Sequence, residues 1–174
     1  MKKIVVFGAG LSATYLISYL EENAAEHKWD LFIADKDITL AKSKCQLDAT
    51  KCVEIDINND NAVNDLIHGS ALVVSMLPAF LHIKIAQKCL NQKINLATAS
   101  YLSEELKELH EQVKANELVF LNECGLDPGI DHLSAMKLLD GIRENGGKIT
   151  EFESFTGGLI APDCVDNPWE YKFT

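Results

Sequence analysis

Apolar strand signals alternate with amphipathic helix signals along most of the chain. A glycine turn marks the first strand–helix junction, and an acid closes the second strand. Together these predict an α/β protein built on a Rossmann-type doubly wound parallel sheet. The same pattern places a first domain over residues 1–147 and the beginning of a second, α+β domain over 148–174.

The first strand is Ile4-Val5-Val6-Phe7, a solid apolar run that fits a strand buried on both faces. It leads directly into Gly8-Ala9-Gly10-Leu11-Ser12-Ala13, a G-x-G-x-x-A turn, and then into Thr14–Leu20 at helical spacing. Each small residue of such a turn has a task. Gly8 permits the tight turn, Gly10 lets the backbone approach a pyrophosphate, and Ala13 lets the helix pack closely on the strand. The helix N-terminus offers N–H groups and a positive dipole end to phosphates.

A second strand, Trp29–Ala34, ends in Asp35, 25 residues beyond Gly10. That is near the ~20-residue position of the acid that hydrogen-bonds a ribose 2′-hydroxyl. A solvated loop acid or helix cap would look the same locally. A carboxylate pairs with a free 2′-hydroxyl and repels a 2′-phosphate, so the expected cofactor is NAD. Lys36 follows and would receive a phosphate, which leaves NADP possible.

Beyond Asp35 the pattern repeats. Asp37 is placed to cap a helix to Cys45, and Lys51–Ile55 forms a third strand ending at Asp56, which would meet an adenine edge or cap a turn. Asn59-Asp60 caps a short helix that closes at Gly69. Ala71–Val74 is the fourth strand, and its exit, Ser75 to Pro78, is expected to line the site at the switch point of the sheet. His82, on the helix from Ala79 to Leu90, reads as a surface or packing residue, since no second metal ligand lies one turn away. Ile94–Ala99 is a fifth strand, followed by Ser100-Tyr101. An amphipathic charged helix is expected from Ser103 to about Asn116, then a sixth strand at Leu118–Leu121 and a helix from about Ile130 to Asn145. From Ile149 to Phe155 apolar and polar residues alternate, which predicts a half-exposed face. Three aromatics, Trp169, Tyr171 and Phe173, fall among the last six residues, so the chain is expected to be cut within its second domain.

Composition narrows the function classes. The 174 residues carry 16 Lys and Arg against 26 Asp and Glu, a net charge of −10, which argues against nucleic acid or an anionic membrane as partner. No apolar run approaches the roughly 18–20 residues that span a bilayer, and no signal-peptide pattern follows Met1, so a cytoplasmic protein is expected. The five cysteines (45, 52, 89, 124 and 164) are odd in number and lack a C-x-x-C pair. Most are expected to be core thiols rather than parts of a disulfide framework or a metal site, with Cys124, beside Gly125–His132, set apart from the rest.

The stretch after the sixth strand is more specific than the glycine turn. Gly125-Leu126-Asp127-Pro128-Gly129-Ile130-Asp131-His132, taken with Ser75-Met76-Leu77-Pro78 and Thr98-Ala99-Ser100-Tyr101, resembles the saccharopine dehydrogenase family in its glutamate-forming branch. So do Gly157–Pro162 and Asp166-Asn167-Pro168-Trp169-Glu170-Tyr171-Lys172-Phe173, and the resemblance covers essentially the whole chain. It implies a nicotinamide-dependent oxidoreductase of lysine metabolism, acting on the secondary amine that joins glutamate to aminoadipate semialdehyde. It also implies a longer protein with a substrate and dimerisation domain, hence a homodimer. By position, Gly8, Gly10, Leu11, Asp35, Lys36, Asp56, Ser75, Leu77, Leu126, Asp127, Pro128 and Thr174 look like cofactor contacts. Ser100, Tyr101 and Asp127 look like substrate contacts. Asp35 departs from the fungal members, which use NADP and lack an acid there.

Physically, an Asp-Pro-Gly turn at a strand's carboxyl end points a carboxylate at the ligand crevice. Asp127, the candidate catalytic residue, would hold a substrate amine or steer imine proton transfers, or else simply start the turn and cap the next helix. Tyr101 would donate to a substrate carboxylate or pack at a strand end. His132 reads as structural rather than as a proton shuttle. Two alternatives accompany the enzyme: a non-catalytic NAD(H)-sensing module, and a dehydrogenase of a related carboxyalkyl-polyamine. With few basic groups for a small, acidic amino-acid substrate, the chain alone is expected to turn over little.

Overall fold

A computed structural model describes residues 1–155 and 157. Cys164, Thr174 and the Gly158–Phe173 part of the family-like blocks lie outside the described residues. The chain divides into two compact units, the first spanning Met1–Ser134 and the second beginning at Ala135.

In the first unit β1 (Lys2–Phe7), β2 (Trp29–Asp35), β3 (Lys51–Glu54), β4 (Leu72–Ser75), β5 (Asn95–Thr98) and β6 (Phe120–Leu121) form one sheet in the order β3-β2-β1-β4-β5-β6. Every pairing is parallel. The order reverses direction between β1 and β4, which is the switch point where open α/β sheets bind ligands. The predicted Rossmann-type doubly wound sheet is the observed one.

Helices cover both faces, which is why the strands read as unbroken apolar runs. On β1, Ile4 and Val6 pack into one core with Ile17 and Leu20 of α1 (Thr14–His27) and with Ala41 of α2 (Ile38–Lys44). Val5 and Phe7 point the other way, into a core with Val63 and Ile67 of α3 (Asp60–Ile67) and Ile85, Ala86 and Cys89 of α4 (His82–Gln92). Each fully buried isoleucine contributes about 1.5–3 kcal/mol relative to exposure. Local capping agrees with the sequence. Asp37 accepts from the N–H groups of Thr39 and Leu40, and Asn59 accepts from that of Ala62.

Three expectations change. The charged helix after Ser103 is two short helices, α5 (Glu104–Lys107) and α6 (His110–Ala115). Between them the Leu109 N–H reaches back only three residues, to the Leu106 carbonyl, and tightens the chain. Residues 79–81 form a 3₁₀ turn rather than the start of the following helix. The alternating stretch 149–155 forms no strand, since no partner strand lies beside it among the described residues. The helix after the Asp-Pro-Gly turn, α7 (Ile130–Glu144), forms as expected, with Gly146 at φ +77 behind it.

Cysteine placement is mixed. Cys89 is buried and Cys124 is exposed, while Cys45 and Cys52 are half-buried with their sulfurs 3.1 Å apart. Burial, then the hydrogen bond with Cys52, pushes the Cys45 thiol up to about 12. No helix among the described residues is long and apolar enough to cross a membrane.

Candidate functional site

A cleft of about 490 Å³ opens at the carboxyl ends of β1 to β4. Gly8 and Gly10 form its floor, Asp35 and Lys36 follow β2, Asp56 and Asn58 follow β3, and Met76, Leu77 and Pro78 follow β4.

The two glycines answer to different constraints. Gly8 has φ +95, and a Cβ there would stand 2.8 Å from the Met76 carbonyl oxygen. Its own N–H donates to the Ala34 carbonyl at 2.8 Å, so the turn is packed between β2 and the exit of β4. Gly10, by contrast, has nothing but its own chain neighbours within 4 Å of where a Cβ would be. The space over Gly10 is therefore open, as a pyrophosphate approaching the backbone requires. Behind it Leu11–Ala13 form a 3₁₀ turn whose start no side chain caps, and α1 follows. Uncapped N–H groups and the dipole of a 14-residue helix suit an anion. These residues fit a dinucleotide.

Asp35 does more than close β2. One carboxylate oxygen accepts the Ala9 N–H at 2.7 Å and the other accepts the Asp37 N–H at 3.0 Å. The acid thus ties the end of β2 to the glycine turn. Each oxygen retains capacity to accept a further hydrogen bond. Asp56 accepts from both the backbone and side-chain N–H groups of Asn58, so it caps its turn while lining the cleft.

A second group of residues gathers at the exits of β5 and β6. The Tyr101 hydroxyl donates to Asp127 at 2.7 Å, across 26 residues of sequence. That hydrogen bond, with the negative charges of Asp127, Asp131 and Glu123, pushes the exposed phenol above its ordinary value. The two loops are laced together as well. The Glu123 N–H donates to the Ser100 carbonyl, the Leu102 N–H donates to the Glu123 carboxylate, and the Cys124 thiol donates to the Thr98 carbonyl. Below Asp127 the peptide to Pro128 is cis, and the chain closes on itself through Gly125 N–H to Pro128 carbonyl at 2.9 Å. Gly129, at φ +144, lies so close to Gly125 that a Cβ would collide with its backbone. Asp131 accepts the Gly129 N–H and pairs with His132, whose ring it pushes upward in pKa. That pairing gives His132 a surface ion-pair role.

The predicted contacts therefore separate. Gly8, Gly10, Asp35, Lys36, Asp56 and Leu77 line the cleft. Ser75 does not; its side chain is fully buried and its hydroxyl lies 2.8 Å from His82 Nδ1. The reason is alternation: Ser75 is the last residue of β4, and its side chain points into the layer beneath α4 while Met76 to Pro78 turn into the cleft. Leu11 is 93% exposed on the turn, outside the cleft lining. Leu126, Asp127 and Pro128 belong to the loop after β6, with Asp127 exposed and Pro128 buried.

His82 is where the sequence told least. Of the two readings, surface or packing, the structure gives packing: the side chain is 2% exposed, and both ring nitrogens have partners, which the sequence did not foresee. Nδ1 meets the Ser75 hydroxyl at 2.8 Å, and Nε2 meets those of Ser100 at 2.8 Å and Thr98 at 3.0 Å. Burial pushes its pKa down, so the ring is neutral. Thr98 and Glu123 were also missed. The one local signal was a histidine on the inward stripe shared with Ile85 and Cys89 (positions i, i+3 and i+7). Among the described residues no group of three or more His, Cys, Asp or Glu is placed to hold a metal.

Comparison with known proteins agrees with this arrangement. Residues 4–121 match the family profile described as the saccharopine dehydrogenase NADP binding domain, and residues 125–174 match the saccharopine dehydrogenase C-terminal domain. The NADP(+), L-glutamate-forming saccharopine dehydrogenase of Saccharomyces cerevisiae is 32% identical over 99% of this chain and 38% of its own length. The mitochondrial alpha-aminoadipic semialdehyde synthase of Bos taurus is 42% identical over 66% of this chain and 12% of its own length. The solved apo structure of the yeast L-Glu-forming saccharopine dehydrogenase superposes over 100% of this chain and 38% of that one, with TM-score 0.85 and 32% identity. The chain thus spans less than two fifths of the length of these relatives. With the two family profiles together matching residues 4–121 and 125–174, the chain belongs to the saccharopine dehydrogenase family.

Proposed function

We propose that this chain is the cofactor-binding part of an oxidoreductase that interconverts saccharopine with glutamate and aminoadipate semialdehyde. Hydride exchange with a nicotinamide is the chemistry the cofactor supplies when bound. The observation that carries the proposal is the Tyr101–Asp127 pair, standing on the exits of two adjacent strands in the same sheet as the dinucleotide cleft. The Asp127 side chain attracts the cationic secondary amine and accepts a proton from it as the imine forms. Tyr101 orients that carboxylate by donating its one hydroxyl proton to it. Ser100 lines the same loop. Leu126 and Pro128 frame Asp127, and Leu11 stands at the mouth of the glycine turn. A sensor of NAD(H) needs none of these groups, which is why the enzyme is favoured.

The cofactor we propose is NADP(H). Matching relatives are named for NADP(+), Lys36 lies exposed on the cleft wall, and both Asp35 oxygens already hold backbone N–H groups. NAD(H) is the second choice, favoured by the negative charge of Asp35 beside a 2′-phosphate. The complete protein is proposed to be a homodimer acting in the cytoplasm.

The test is an absorbance assay at saturating saccharopine with NADP(+) and NAD(+) in parallel, using the complete gene product. Saccharopine-dependent reduction, faster at low NADP(+) than at low NAD(+), is the expected result. A dinucleotide bound without turnover of saccharopine would return the sensor, and turnover of a carboxyalkyl-polyamine instead would replace the substrate. The 174-residue chain by itself is expected to bind cofactor and turn over little.

A further inference from the structure

The hydroxyls of Ser75, Thr98 and Ser100 converge on one buried imidazole, an arrangement the chemistry above does not use. A neutral ring carries one N–H and one lone pair, and in either tautomer each nitrogen of His82 has a hydroxyl partner. The protein has taken a polar ring out of water and surrounded it with groups that satisfy it, at the point where the last residues of β4 and β5 meet. A packing residue would need no such set; an apolar side chain of similar volume would fill the space without three hydroxyls.

The connections on either side indicate its use. Ser75 precedes Met76, Leu77 and Pro78, which wall the cofactor cleft. Ser100 precedes Tyr101, and the Ser100 carbonyl also accepts the N–H of Glu123 from the loop that carries Asp127. Fixing Ser100 therefore fixes both anchors of the Tyr101–Asp127 pair. We propose that His82 is a positioning residue: from its buried place at the ends of β4 and β5, its Nε2 holds Ser100 and Thr98 and so fixes the loop that presents Tyr101 to Asp127. The inference rests on the saccharopine oxidoreductase proposed above, and it assigns His82 no contact with substrate or cofactor.

Two substitutions divide the contacts. In His82→Asn the side-chain amide reaches where Nδ1 stood and keeps the Ser75 side; in His82→Gln it reaches where Nε2 stood and keeps Ser100 and Thr98. In the complete gene product, His82→Asn is expected to lower kcat/KM for saccharopine at least thirtyfold, with the NADPH Kd from fluorescence titration within threefold of the parent. His82→Gln is expected to recover kcat/KM to within about fivefold. Parental kinetics in both variants would overturn the proposal. So would a Gln variant no better than the Asn variant, or a cofactor Kd that worsens in step with kcat/KM.

A parent protein that does not turn over saccharopine would sink the proposed function instead. The positioning role is then decided by amide hydrogen exchange in the Leu102 and Glu123 segments. Exchange at least tenfold faster in His82→Asn and near parental in His82→Gln supports it. Equal exchange in the two variants overturns it.

Discussion

At the carboxyl end of β1 the site is made of backbone and small residues. Beyond β5 and β6 it is made of hydroxyls, a phenol and carboxylates. The first region presents Gly8, Gly10 and uncapped N–H groups, with Asp35 serving mainly to hold the turn. The second presents Tyr101 and Asp127 on loops that are laced together by side chains and rest on a buried histidine. The difference follows from the ligands each region would meet. A pyrophosphate is the same in every dinucleotide and is held by geometry and a dipole, so few side chains are needed. An amino-acid substrate undergoing proton transfer needs groups with defined acidity and direction.

The contrast is broken most easily at the glycines. Gly8→Ala forces a Cβ against the Met76 carbonyl at a left-handed φ and is expected to lower unfolding free energy by about 3 kcal/mol, read from urea denaturation. Gly10→Ala meets nothing beyond its own chain neighbours. Its unfolding is expected to stay within about 0.5 kcal/mol of the parent, while NADPH affinity falls at least tenfold. Equal destabilisation by both would show that the two glycines do the same work.

Next in size is the side-chain half. Tyr101→Phe removes the donor to Asp127 from an exposed position, so stability should change by less than about 0.5 kcal/mol. In the complete gene product kcat/KM for saccharopine should drop by roughly a hundredfold, the low end of the range for a lost acid–base group and the size of a misplaced one. Loss of stability with intact kinetics would make this pair part of the scaffold.

A pH series sharpens the comparison further. His82 has a folded pKa below the unfolded value of about 6.5. Below that pH the unfolded chain binds a proton that the buried ring refuses, so stability rises with pH up to about 6.5 and then loses this dependence. Its partners are the hydroxyls of Ser75, Thr98 and Ser100, and among the described residues no carboxylate or ammonium group hydrogen-bonds to it. The slope should reach at most about 1.4 kcal/mol per pH unit, and it should vanish in His82→Gln. Thermal melts between pH 5 and 8 read it directly.

The smallest effect belongs to His132. Its hydrogen bond to Asp131 raises its pKa, so that contribution is present below the unfolded value and is lost as pH rises through the folded one. Both groups lie in solvent. Asp131→Asn should lower the His132 titration midpoint in an NMR series and leave the melting temperature unchanged.

Much of this was legible before any coordinates. Solid apolar runs at Ile4–Phe7 and Leu72–Val74 imply strands buried on both faces, and the observed sheet buries both faces of β1. The glycine turn and the caps at Asp37 and Asn59 are local, set by neighbours within a few residues, and each formed where the spacing placed it. Residue types and order around Gly125–His132 were enough to point to the family.

Other features depended on contacts across the fold. Ser75 looked like a cleft residue by position along the chain, yet strand alternation turned it inward to His82. Asp35 lines the cleft as its position in the sequence implied, and the approach of β2 to the first turn also gives it the Ala9 N–H, which spacing alone did not show. His82 drew its partners from positions 7, 16 and 18 residues away, at the ends of two strands and just beyond one of them, which only the sheet order makes neighbours. Sequence alone determined the period of burial and the local turns, because those depend on adjacent residues. Which polar side chains meet was decided by the tertiary structure, because a hydrogen bond is made in space and strand order is not written in spacing.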